Sequence, residues 1–336
     1  MPRGYRRKDG RMLALAACAA ALGYFFLAQI PLGNDSPLQS IASLALPEAR
    51  SAIAEKPAIK ASEVSFSSAS GFGFVDPETL EMRHYARPQG GETNYQDQGR
   101  LFTIRMDQAG VSEHDIQGKL LWSWEFGSFL TAASIGTHSS AWGCLDGTVL
   151  TQEPGTWNAS LLRPSAFGIQ SARACVYSVA ISPDGSKLAL LYGQEPQTAL
   201  FFEDRGSGWG LVHSVAMQKE TYRAQAALFS KNGAWAALQT GAGLLVYDSA
   251  ARTSRLIMDG RLGEEYRIQF ARLGDEGIAL LSVSAKESRL GLLMGHSLEA
   301  WIRVDPGSSG LSSDPRGYLC VAGERSLRIF AQRKDP

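Results

Sequence analysis

Ser182-Pro-Asp-Gly-Ser-Lys-Leu-Ala, Ser230-Lys-Asn-Gly-Ala-Trp-Ala-Ala, Arg272-Leu-Gly-Asp-Glu-Gly-Ile-Ala and Ser313-Asp-Pro-Arg-Gly-Tyr-Leu-Cys are four versions of one phrase. Each sets turn formers ahead of small and apolar residues, which reads as a tight turn between two apolar strands. The glycines at Gly185, Gly233, Gly277 and Gly317 return after 48, 44 and 40 residues. A period of that length holds four short strands and their turns.

Around the second copy all four strands are explicit: Ala226 to Ser230, Trp235 to Thr240, Gly243 to Asp248 and Thr253 to Met258. The inner strands are apolar and the last is more polar, as expected where four-stranded units pack radially and cover their inner strands on both faces. The units from Ile268 to Val304 and from Cys175 to Ala216 repeat this pattern. Weaker copies lie upstream. Gly99 to Met106, Gly110 to Asp115 and Gly118 to Phe126 read as three consecutive strands, and Ser139 to Leu150 follows. Gly73 to Tyr85 aligns with Leu245 to Ile257 as strand, acidic turn, strand. A last copy, Gly317 to Phe330, stops after two strands and calls for an N-terminal strand to complete it and close a ring. From Val64 onward almost nothing keeps helical periodicity. The expectation is all-β, a single β-propeller over 63–334 with seven four-stranded blades, six being the alternative count.

The chain has 336 residues, 44% hydrophobic, with 35 Gly and 14 Pro, enough for a full core and many turns. Its formal charge is zero but unevenly spread. Residues 1–11 carry Arg3, Arg6, Arg7, Lys8 and Arg11 against Asp9, leaving 28 basic and 32 acidic residues in the remainder. A weakly acidic body without a basic stripe argues against a nucleic-acid partner. Met12 to Leu32 is uncharged and apolar, long enough to span a bilayer, with Tyr24, Phe25 and Phe26 near one end and Pro31 and Gly33 closing it. The preceding positive charge puts 1–11 in the cytoplasm, makes 12–32 a transmembrane signal anchor in the inner membrane, and places the body in the periplasm or outside. Two alternatives compete: a lipoprotein acylated at Cys18 within Leu15-Ala-Ala-Cys18, and cleavage beyond Ala28. Residues 33–62, with Pro37, Pro47 and Pro57, read as a flexible Ala/Ser/Pro linker. Leu38, Ile41 and Leu44, spaced by three, offer the alternative of one helical turn for a partner.

The Ser-Pro-Asp-Gly blades resemble those of WD40-like propellers. Gly118-Lys-Leu-Leu-Trp122 resembles the quinoprotein-like blade, in which a glycine turn precedes a tryptophan that docks on the next blade. The resemblance runs from Val64 to Arg333. No Trp-Asp dipeptide closes a blade, and Gly295-His296 is the only Gly-His. The resemblance implies a shape and a habit of binding proteins, not an activity.

Residues able to carry chemistry are dispersed. His84, His114, His138, His213 and His296 stand one to a region, whereas a metal site needs three or four convergent ligands. Cys144, Cys175 and Cys320 lie on strands and read as buried structural thiols, a Cys144 to Cys175 bridge being the alternative. Asp146 and Asp184 sit in turns, where their side chains bond the local backbone. Trp122 and Trp124 share one face of a strand and should pack on a neighbouring blade. No nucleophile elbow, phosphate loop or paired-carboxylate spacing is present. Asn34-Asp-Ser and Asn158-Ala-Ser have the form of glycosylation sequons. No catalytic, cofactor-binding or metal residue is assigned, and no cofactor is called for. The function expected is a membrane-tethered scaffold that binds other envelope or membrane proteins. The alternatives are a hydrolase or quinone-dependent dehydrogenase, and a glycan or small-ligand sensor, using the central channel.

Overall fold

The computed structural model describes residues 38–46, 63–67, 71–86, 92–97, 100–115, 119–153, 159–263, 265–305, 307–308, 310–314 and 316–332. The anchor expected over 12–32, Cys18 and the asparagines of both sequons, Asn34 and Asn158, lie outside these residues. Among the described residues no helix is long and apolar enough to cross a membrane.

Among the described residues, twenty-seven strands form seven antiparallel sheets arranged as the blades of one propeller. β1 (Leu38–Ala45) comes first. The first blade holds β2 (Val64–Ser67), β3 (Gly71–Val75) and β4 (Met82–Ala86). The second holds β5 (Glu92–Asp97), β6 (Arg100–Arg105), β7 (Gly110–His114) and β8 (Leu120–Glu125), and the third β9 (Leu130–Ile135), β10 (Ser140–Cys144), β11 (Val149–Gln152) and β12 (Ala159–Leu162). The fourth holds β13 (Arg173–Ile181), β14 (Lys187–Gln194), β15 (Thr198–Asp204) and β16 (Trp209–Ala216). The fifth holds β17 (Ala227–Phe229), β18 (Trp235–Gln239), β19 (Leu244–Asp248) and β20 (Thr253–Ile257). The sixth has β21 (Arg267–Leu273), β22 (Gly277–Val283), β23 (Ser288–Met294) and β24 (Ser297–Val304). The seventh has β25 (Gly310–Ser313), β26 (Tyr318–Ala322) and β27 (Ser326–Gln332), with β1 in its fourth place.

In each complete blade the strands are lettered a to d from the axis outward. Neighbouring a strands touch, β9 on β13, β13 on β17, β17 on β21 and β21 on β25. The polarity gradient read from the sequence follows this order: β14 and β19 are almost wholly buried, whereas β20 and β16 are partly exposed along most of their length. The core is accordingly divided into clusters, each filling the gap between two blades. Phe102, Trp122 and Trp142 join the second to the third. Val149 and Leu162 meet Val176 and Ile181 between the third and fourth, and Phe201 meets Tyr247 between the fourth and fifth. Val246 and Ile278, then Leu281 and Leu319, continue the series, and Phe66 with Ile329 joins the seventh blade to the first.

The repeated phrase is the a–b turn of the fourth to seventh blades. Ser182 and Ser230 accept, through Oγ, the N–H of Lys187 (2.9 Å) and Trp235 (3.0 Å), the first residues of the next strands. Asp314 takes the same role toward Tyr318 (2.9 Å). Gly185, Gly233 and Gly317 stand at φ 78°, 67° and 92°, a backbone region that favours glycine. The third copy departs from the sequence reading. Gly277 is the first residue of β22, and the left-handed glycine of that turn is Gly274, at φ 58°.

The linker assigned to residues 33–62 is corrected over its described part. Leu38 to Ala45 is a strand, paired antiparallel with β27 from Leu38 opposite Gln332 to Ala45 opposite Ser326. The N-terminal strand expected to complete the last blade exists, and it comes from inside the presumed tether. A bulge between Ser40 and Ala42 disguised it. Leu38, Ala42 and Leu44 face the core at even spacing, but Ala42 is small and Ile41 is pushed out to 47% exposure, so the large apolar residues mimic a spacing of three. A closing strand from the opposite end of the chain leaves the last blade no free edge at β27.

Because the strands alternate in direction, a–b and c–d turns open on one face of the ring, and b–c and d–a turns on the other. Arg316, in the seventh a–b turn, bonds Glu78 (3.0 Å) in the turn between β3 and β4. That turn is therefore a c–d turn, and β2, β3 and β4 fill the b, c and d places of the first blade. The chemistry agrees with the alignment read from sequence: Asp76 Oδ1 accepts the N–H groups of Glu78 and Thr79, as Asp248 Oδ1 accepts those of Ala250 and Ala251.

Candidate functional site

The face of a–b and c–d turns is polar, and several of its turns are fastened by internal hydrogen bonds. Asp184 accepts hydrogen bonds from Ser182, Ser186 and the Ser186 backbone. Burial raises its pKa, but these bonds and nearby Lys187 outweigh that and leave it below the ordinary carboxylate value. Lys187 Nζ donates to Gly233 O (2.9 Å), and the Asn232 N–H donates to Asp275 O (2.9 Å), tying adjacent blades. Arg252 pairs with Glu203 (2.7 Å) across the fourth and fifth blades.

The opposite face is different. Its b–c and d–a turns present Met106, Phe129, Leu145, Tyr222 and Met258, exposed by 77, 56, 48, 68 and 78%. Among the described residues the polar face shows Leu80, at 37%, and Leu120, which opens β8 beside a c–d turn, at 53%, while Ile41, Leu121 and Leu161 are exposed along outer strands. Over the second and third blades the apolar turns are fastened together: the Phe126 N–H donates to Ala109 O (2.8 Å), Leu130 to Gln108 O (2.7 Å) and Leu145 to Phe129 O (2.8 Å). Beside Leu145 a cavity of about 610 Å³ is lined by Asp146, Gly147, Arg163, Ser165, Gln170 and Tyr192 among others. Tyr192 is 4% exposed and its hydroxyl is raised in pKa by burial, so it stays protonated at neutral pH.

The residues weighed from sequence do not converge. His84 is buried and stacked on Phe66, with ring centroids 5.9 Å apart. His213 stacks on Tyr247 at 5.5 Å, bonds Ser254 (3.1 Å), and is held below the ordinary histidine pKa by burial. His296 packs edge-on against Trp235 at 4.6 Å, His114 ends β7, and the N–H of exposed His138 donates to Pro183 O (3.1 Å). Among the described residues no three of His, Cys, Asp and Glu gather as metal ligands would. Cys144, Cys175 and Cys320 are buried free thiols, so the Cys144 to Cys175 bridge is not formed. Burial raises all three in pKa, Cys144 to about 11 and Cys320 to about 12. Asp146 caps its turn through Thr148 (3.0 Å), as expected.

Trp122 and Trp124 both pack into the cluster shared with the third blade. Trp122 is the more buried and donates its indole N–H to Glu113. The exposed apolar residues of the second face were not singled out from sequence. Their signal is an apolar side chain at a b–c or d–a turn, visible only once every strand has been placed.

A family model described as beta-propeller protein matches residues 88–294. No curated protein matches. Among solved structures, a chain from "Crystal Structure of Mitotic Checkpoint Complex" is 12% identical, with TM-score 0.55, covering 79% of this chain and 82% of that one. The β-propeller domain of Cps50 (Swd1) from Myceliophteria thermophila is 12% identical, with TM-score 0.56, covering 87% of this chain and 100% of that one. At that identity the likeness is one of fold.

Proposed function

The chain belongs to the beta-propeller protein family, and from this premise we propose that it is a non-enzymatic platform that binds other proteins through its b–c and d–a turns. The asymmetry of the two faces carries the reading. Five large apolar side chains stand exposed in the turns of one rim, while the other rim shows Leu80 and Leu120 and is fastened by hydrogen bonds such as those of Asp184 and Lys187. Exposed apolar surface on rigid turns is the ordinary signature of a protein contact. His84, His213 and His296 pack against neighbouring rings, and Asp146 and Asp184 bond within their own turns.

The proposal extends to place. The basic segment 1–11 and the apolar stretch Met12 to Leu32 support an inner-membrane anchor with the ring outside the cytoplasm. The ring's partners are accordingly expected among envelope and membrane proteins.

Crosslinking the intact chain in cells and purifying its adducts tests this. Discrete protein adducts should form with the wild type and be lost in a Phe129→Ser, Tyr222→Ser variant of unchanged melting temperature. Turnover of a small substrate by the purified chain, abolished by one channel-facing substitution that leaves the fold intact, would replace this reading with an enzyme.

A further inference from the structure

Met106, Phe129 and Leu145 occupy three successive turns over the second and third blades, and those turns share three backbone hydrogen bonds. The N–H of Asp146 adds a fourth, to Ser128 Oγ (3.1 Å). Beneath them Phe102 packs edge-on against Trp142 at 5.2 Å and Trp122 at 6.2 Å. The apolar side chains are thus displayed on an ordered support and have little backbone entropy left to lose on binding.

The charge around them is one-sided. Asp107, Glu125 and Asp146 border the patch, and Arg105 is the one cation in the same turns. Arg105 is shared between Asp107 and Glu125 (2.8 Å). Three carboxylates against one guanidinium leave a net charge near −2 beside the exposed apolar surface. Arg163 and Arg173 lie beyond Asp146, on the connection into the fourth blade, so the acidic character is concentrated toward the second blade.

We infer that this patch docks a basic, apolar protein segment. An aromatic or aliphatic side chain of the partner lies against Phe129 and Leu145, and its Lys or Arg groups face Asp107 and Glu125. This rests on the binding-platform reading and gives the partner a chemistry. Burial of the apolar side chains supplies most of the affinity, and the carboxylates select sign and orientation.

Random peptides displayed on phage and selected against the full chain read this directly. The enriched pool should combine aromatic or aliphatic residues with an excess of Lys and Arg. Its binding should weaken with added salt. Phe129→Ala, half-exposed and harmless to folding by a melt, should reduce binding at least about ten-fold. Asp107→Asn with Glu125→Gln should remove most of the salt dependence. An acidic or uncharged pool, or no enrichment, overturns the inferred chemistry and leaves the platform reading standing. A basic pool that ignores Phe129→Ala but is lost with Tyr222→Ala overturns this location alone.

Discussion

If β1 is the strap that closes the ring, its first residue, Leu38, should matter more than a place at a strand end suggests. Leu38 is 5% exposed and packs with Leu273, Leu319 and Phe330, whereas Ile41, three residues on in the same strand, is 47% exposed. Leu38→Ala removes three carbons, about 2.4 kcal/mol of transfer free energy at ~0.8 per carbon, and adds a cavity term reduced by relaxation at a strand end. The expected loss is about 2–3 kcal/mol, against about 0.5 or less for Ile41→Ala at its exposed bulge position. Urea unfolding of the 336-residue chain, followed by tryptophan fluorescence, separates the two. A flexible tether would make both substitutions silent. A Leu38→Ala midpoint indistinguishable from wild type would refute the strap.

Tyr247 should show that its ring, not its hydroxyl, is structural. The hydroxyl is buried with no partner among the described residues, and the ring stacks on Phe201 at 3.9 Å. Tyr247→Phe should cost less than about 1 kcal/mol and Tyr247→Ala about 3–4 in the same unfolding assay. The thiols of Cys144 and Cys320, pushed by burial to about 11 and about 12, should resist iodoacetamide near pH 8 in the folded chain and react fully in denaturant, as peptide mass spectrometry will show. Asp184, with a folded pKa below its unfolded value, stabilises the ring above about pH 4 and ceases to as pH falls through the folded value. Asp184→Asn should therefore flatten the acid limb of stability against pH, read from melting temperatures.

The turn phrase made the architecture readable because its chemistry is local. Ser182, Asp184 and Gly185 satisfy one another within six residues, and the acidic turns at Asp76 and Asp248 bond their backbones alike. What stayed hidden depended on distant partners. β9, Leu-Thr-Ala-Ala-Ser-Ile, lacks the bulky residues of an inner strand because the next blade presses close: a Cβ on Gly143, opposite Ala132, would meet Val176 Cγ1 at 2.4 Å. β1 was masked by its bulge and by Ala42. The candidate face was the least legible, since the side on which a turn opens depends on the parity of every strand before it. One missed strand exchanges the two faces, and Phe129 becomes an unremarkable loop residue.

Photocrosslinking residue by residue tests the two-faced ring most directly. A photoreactive amino acid is placed singly at Met106, Phe129 or Tyr222 on one face, and at Lys231, Ala250 or His138 on the other, in the intact chain within cells. All six positions are exposed. Protein adducts from the first three positions and none from the last three are expected. Adducts confined to the second set, or equal from both faces, would contradict the assignment of the binding face.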